Sequence, residues 1–228
     1  MKRYVDLSGK VENGLWGYEV LPGLENIIPA ASIQAIASVR ENGFFASKVC
    51  LSTITGTYLE AGSHILEGAK NLDAYRIADF IKPAAIVRLP RQKEKALVHA
   101  ELLEKHAPRI SRGDALIIDT GWGAMWNKTG YVLTCPNLSR NAIEWVLGKG
   151  ISIFGCDVPC IESSWSEDAE SEKGGLLGML FKRNVLLVAP LVNLDQTKSD
   201  IGTLYCLPLN VAGTSGAPAR VVWEESAE

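Results

Sequence analysis

The chain has 228 residues, with 23 Lys and Arg against 26 Asp and Glu and a formal net charge of −3. That balance leaves no basic footprint for nucleic acid or an anionic membrane, and no run of about 18 apolar residues is present to cross a bilayer. With 47% hydrophobic and 21% charged residues the composition excludes disorder, and the length points to one domain over 1–228. Met1 to Asp6 lacks the apolar stretch of a secretory signal. The five cysteines, Cys50, Cys135, Cys156, Cys160 and Cys206, form no Cys-x-x-Cys pair. They are read as reduced, buried thiols of a cytoplasmic protein.

Tyr4 to Ser8 reads as a first strand. Ile33, Ala35, Ala37 and Val39 alternate with more polar neighbours, and Val49, Leu51 and Thr53 continue the period of two beyond Asn42-Gly43. This pattern predicts a β-hairpin closed by a two-residue turn. Residues 84–89 form an apolar strand closed by Pro90. Over 93–106, Ala96, Leu97, Ala100 and Leu103 recur at helical spacing, and Pro108 stops that helix. Residues 115–118 make a buried strand. Ser139 is the expected N-cap of a helix through Leu147, ended by Gly150. A strand at 151–154, a polar run at 162–175 read as a mobile loop, a helix at 176–181, a strand at 185–188 and a pair at 204–211 and 220–223 complete the pass. Strands separated by helices indicate a mixed α/β fold.

The unusual stretch is Thr53-Ile54-Thr55-Gly56-Thr57-Tyr58-Leu59-Glu60-Ala61-Gly62-Ser63-His64. If residues 58–60 are extended, Tyr58 and Glu60 share one face. Glu60 and His64 are a carboxylate and an imidazole, the commonest pair for general acid/base work. The same spacing also suits a structural pair.

This run resembles the His-x-Gly-Thr-His-x-Asp-x-Pro-x-His signature of the cyclase family, which includes kynurenine formamidase and isatin hydrolase. Val5-Asp6-Leu7-Ser8 with Trp16, Gly113 to Trp122 with Trp126, Ile153 to Cys160, Asn193-Leu194-Asp195 and Gly216 to Arg220 resemble further pieces of it in order. The resemblance implies a swivelling β/β/α domain, a mixed sheet with flanking helices, and assembly as a homodimer or higher homo-oligomer. It also implies a small-molecule substrate. Family members bind zinc or manganese through histidines and acidic residues, but here those positions read Ile54, Tyr58, Glu60 and His64. The two downstream positions fall near Leu177 and Ala189.

A divalent site wants about three protein donors, and Ile54, Leu177 and Ala189 supply none. No metal and no cofactor is therefore expected. The expectation is a metal-independent enzyme on a small carbonyl, cyclic or amide-like compound, with hydrolysis or a related ring opening, cyclisation or elimination as its reaction. Glu60 and His64 move the protons; Tyr58 and Thr57 donate to a developing oxyanion. Trp16 and Tyr18 line the substrate pocket, with Trp122 and Trp126 as weaker candidates. Cys160, at the family's usual serine, faces it and would need a base such as His64 to act as a nucleophile. Two alternatives stay open. One is a non-catalytic binding or subunit relative whose old cavity is plugged by Ile54, Leu177 and Ala189. The other is an atypical hydrolase holding one ion through Tyr58, Glu60, His64 and water.

Overall fold

The computed structural model describes residues 1–162 and 175–227. Its framework is one eight-stranded sheet with the strand order β1 (Lys2–Asp6), β12 (Gly216–Ser226), β11 (Ile201–Pro208), β5 (Ile81–Arg88), β7 (Ala115–Asp119), β9 (Ile153–Cys156), β10 (Leu186–Ala189), β4 (Tyr58–Glu60). Strands β5, β7, β9 and β10 run parallel, linked through α2 (Ala100–His106), α3 (Arg140–Gly148) and α4 (Gly175–Lys182). Their near-continuous apolar runs follow from burial on both faces. Ile86, Ile117, Ile153 and Val188 meet Leu59, Leu204 and Trp223 in one core. Their alternating neighbours Val87, Ile118, Phe154 and Leu187 pack with Leu103, Ile143 and Leu180 from the helices in another.

Strand β4 closes the sheet. Its three residues pair with β10 on one side, Glu60 opposite Leu187 and Tyr58 opposite Ala189. On the other they pair with β12, Glu60 opposite Gly216 and Tyr58 opposite Pro218. The result is a barrel-like mixed sheet with β1 added at one edge and helices packed outside it.

Most predicted elements occur within two residues of their expected ends. Ser139 caps α3 by accepting from the Ala142 amide at 3.3 Å. Two readings need correction. The helix expected from residue 93 begins at Ala100, because Leu97–Val98 (β6) instead pairs in parallel with Asn137–Leu138 (β8). The hairpin exists, as β2 (Ser32–Ala37) and β3 (Ala46–Cys50), but a helical turn, α1 (Val39–Asn42), joins them. Ser38 caps that turn and Gly43 ends it at φ 79°, a left-handed conformation that glycine takes without strain. Residues 163–174, within the run expected to be a loop, lie outside the described residues.

Candidate active site

Tyr58 and Glu60 leave β4 on the face opposite Leu59, as the alternation of an extended strand requires. They enter a cavity of about 590 Å³ between the sheet, the 18–28 segment and α4. His64 reaches it from a 3₁₀ turn, Gly62–His64, and its Nδ1 stands 3.1 Å from Glu60 Oε1. Most of the remaining wall is hydrocarbon: Leu21, Leu24, Ile28, Ile54, Leu177, Leu187 and Ala189. Among the described residues the plug expected of a retired site is absent. Ile54, Leu177 and Ala189 line the space without filling it.

Among the described residues the cavity wall contains no lysine or arginine, so none of them offsets the loss of water around the carboxylate. Burial pushes Glu60 up from 4.5 to about 8 and holds His64 below its ordinary 6.5. Desolvation disfavours the charged form of each. Burial therefore favours the neutral form of both members of the pair. Nδ1 is close to Oε1 but out of line for a hydrogen bond, and this oxygen has no other partner among the described residues. A buried polar atom left unpaired costs about 1–3 kcal/mol.

Tyr18 lies in the wall as expected. Its hydroxyl donates to the Pro159 carbonyl at 2.7 Å and is 2.8 Å from the Tyr58 hydroxyl. Each phenol has one proton, so Tyr58 donates to Tyr18. Burial drives both phenols well above their ordinary value. The expected role of Tyr58 as an oxyanion donor is corrected, because its proton is already committed. Thr57 is corrected too. Its Oγ1 donates to the Pro190 carbonyl at 2.7 Å and accepts from the Gly9 amide at 3.0 Å, outside the cavity wall.

Trp16 also moves out of the binding role. It packs edge-on against Tyr18, Trp126 and Tyr131, with ring centres 5.0–5.5 Å apart, and supports the wall from behind. Trp122 and Trp126 are likewise outside the wall. Cys160 does line it, but its thiol sits against that of Cys135, and this contact and burial keep it protonated, against a nucleophilic role. Sequence reasoning missed the apolar rim. Its signal was the run Leu21, Leu24, Ile27, Ile28 in a segment otherwise rich in Gly, Pro and polar residues.

The donor set fits a metal ion poorly. Among the described residues no three His, Cys, Asp or Glu side chains come together to hold one. Glu60 and His64 supply two donors where about three are needed, and Tyr58 as a third would have to give up a strongly held proton. Glu162 reaches the rim, where it accepts from the Leu176 amide at 2.8 Å.

A second buried carboxylate provides a reference. Asp157 accepts from the Thr120 amide at 3.0 Å, the Thr120 hydroxyl at 2.7 Å and the Gly123 amide at 3.1 Å. Burial, reinforced by Asp119, pushes it up to about 6 despite those bonds.

The fold is shared with isatin hydrolases and with other cyclase-family structures. Isatin hydrolase A from Ralstonia solanacearum superimposes with a TM-score of 0.84 over 99% of this chain and 92% of its own, at 20% identity. A "predicted metal-dependent hydrolase" from Bacillus stearothermophilus gives 0.77 over 99% and 100%, at 18% identity. Kynurenine formamidase from Bordetella pertussis is 25% identical over 187 residues, 79% of this chain and 81% of that protein. Residues 5–163 match the family described as "Putative cyclase", and this chain belongs to that family. No helix among the described residues is long and apolar enough to cross a membrane.

Proposed function

We propose that the chain is a hydrolase of a small, uncharged carbonyl compound, cyclic or amide-like, that works by Glu60/His64 proton transfer without a metal. Related ring opening, cyclisation or elimination uses the same two groups. The observation that carries this reading is the Glu60–His64 pair, 3.1 Å apart in an open cavity whose remaining wall is mostly apolar. Relatives named kynurenine formamidase and isatin hydrolase support the substrate class. A neighbour described as metal-dependent argues for a metal, whereas the side chains around Glu60 argue against one.

In hydrolysis, neutral His64 removes a proton from water as its oxygen bonds to the carbonyl carbon. Protonated Glu60 delivers its proton to the leaving nitrogen or oxygen as that bond breaks. A proton then crosses from the imidazolium to the carboxylate and restores the pair. General acid–base catalysis of this kind contributes about 10²–10⁴-fold. Glu60→Gln and His64→Asn should each lower turnover of a panel of small lactams, imides and formamides at least about 100-fold, with the fold intact by circular dichroism. Full activity in either variant refutes the mechanism. Elemental analysis after zinc and manganese loading should find no stoichiometric metal; an equivalent that is lost in His64→Ala would overturn the metal-free reading.

One observation favours a second reading, a binding protein without turnover. Both hydroxyls expected to hold an oxyanion are committed elsewhere. Ligand binding with no product from any panel member would favour it. We further propose a single domain, self-association with a second copy, and a cytoplasmic location, the last supported by five free cysteines.

A further inference from the structure

The Glu60–His64 cavity is larger than any head group those two residues can address. At roughly 30 Å³ for a water-sized group, its 590 Å³ or so holds on the order of 20 non-hydrogen atoms; a formamide or small lactam fills only a fraction of it. Much of the remaining wall is one strip of hydrocarbon. Leu21, Leu24 and Ile28 recur at the spacing that returns side chains to one face of a helical turn. The turns are formed: the Leu24 amide donates to the Leu21 carbonyl at 3.0 Å, and the Ile28 amide to the Leu24 carbonyl at 3.2 Å. These three side chains are half-buried and line the cavity, while Pro22, Gly23, Glu25 and Asn26 between them are exposed. Ile54 and Leu177 belong to the same wall and are half-buried against the core. Hydrocarbon left against water in a concave wall is unfavourable until an apolar surface covers it.

We propose that the substrate is lipophilic: an uncharged carbonyl head at Glu60 and His64 carries an aliphatic chain of roughly six to ten carbons, which lies along Leu21, Leu24, Ile28, Ile54 and Leu177. This substrate class deepens the proposed function, on which its role as a substrate rests; the shape of the wall stands without it. Charge points the same way. Among the described residues the wall holds Glu60 and Glu162 and no lysine or arginine. A carboxylate on the ligand would lose its water there and meet like charge in place of a partner. A chain is favoured over a ring by the two rings in the wall, Tyr18 and Tyr58. Their hydroxyls are 2.8 Å apart, and their rings stand at 75° with centres 6.4 Å apart. That is edge-to-face packing, so the described wall offers no pair of parallel ring faces to sandwich an aromatic ligand.

Isothermal titration calorimetry of the full chain with straight-chain alcohols tests the strip without any chemistry, since an alkanol has no bond to hydrolyse. From n-butanol through n-hexanol to n-octanol, affinity should rise roughly fourfold per methylene. n-Octanoate should bind at least about tenfold more weakly than n-octanol, and phenethyl alcohol, with the same number of carbons, should also bind more weakly. Leu24→Asn should weaken n-octanol about tenfold and leave n-butanol near its wild-type affinity, with circular dichroism unchanged. Ile54→Asn is the second variant, in case the first does not fold. A flat alkanol series overturns the proposal. So does octanoate or phenethyl alcohol bound as tightly as n-octanol, or a folded variant that binds n-octanol as the wild type does. The two readings fail separately. A rising alkanol series with no product from any lactam, imide or formamide keeps the lipophilic site and removes the turnover; turnover of short formamides with a flat series does the reverse.

Discussion

Two of the buried carboxyl groups, Asp157 and Glu60, are treated in opposite ways. Asp157 receives three hydrogen bonds from Thr120 and Gly123, and these oppose the effect of burial, so it rises only to about 6. Glu60 receives none at Oε1 and rises to about 8. The difference separates a carboxylate that holds a turn in place from one whose Oε1 no described residue satisfies. Burial alone does not mark a functional acid; burial without satisfaction does.

The comparison breaks most readily at Asp157. Asp157→Ala leaves the Thr120 and Gly123 amides without their acceptor and should cost about 3 kcal/mol, read as a loss in chemical denaturation midpoint. An effect below that of an ordinary surface change would show that the carboxylate holds nothing. For Glu60 the sign reverses with pH. Its raised value means that its stabilising contribution is complete below 4.5 and is lost as pH climbs to about 8. Glu60→Gln should accordingly gain on the wild type as pH rises from 5 to 9; parallel melting curves across that range would disprove the assignment. His64, held low, contributes above 6.5 and loses its contribution as pH falls. Thr120→Val removes one of the three bonds to Asp157 and should cost about 1 kcal/mol by thermal melting, a third of the full truncation. The smallest effect belongs to a residue that only supports the wall. Cys160→Ser should shift ligand affinity by less than about tenfold and leave proton transfer intact.

The sequence made the barrel legible wherever a strand is buried on both faces, as at 84–89 and 115–118, because burial imposes an unbroken apolar run. It hid Leu97–Val98, whose pairing with Asn137–Leu138 is two residues long and forty residues away. It also hid the helical turn of the hairpin, since Val39 continues the strand pattern until Ser38 caps it. At the site, Glu60 and His64 were readable because one local segment carries both. Tyr58 and Thr57 were readable as polar groups, but which of their bonds were already spent depended on Pro159 and Pro190, which only the fold brings near. Trp16 shows the same limit: an aromatic ring in a loop looks identical from the sequence whether it faces a ligand or backs another ring.

The proposed acid–base pair is mounted on the barrel's seam. Three residues of β4 complete the ring, joined to β10 and β12 by short ladders and flanked by the bonds of Ala61 to Ser215 and Ala219 to Thr57. A ring this unevenly fastened should breathe first at its shortest joint, and that joint carries Tyr58 and Glu60. Occupancy of the cavity would then act as a clasp: slowed amide exchange should concentrate at residues 58–61 and their partners on β12, while the long β11–β12 ladder stays as it was.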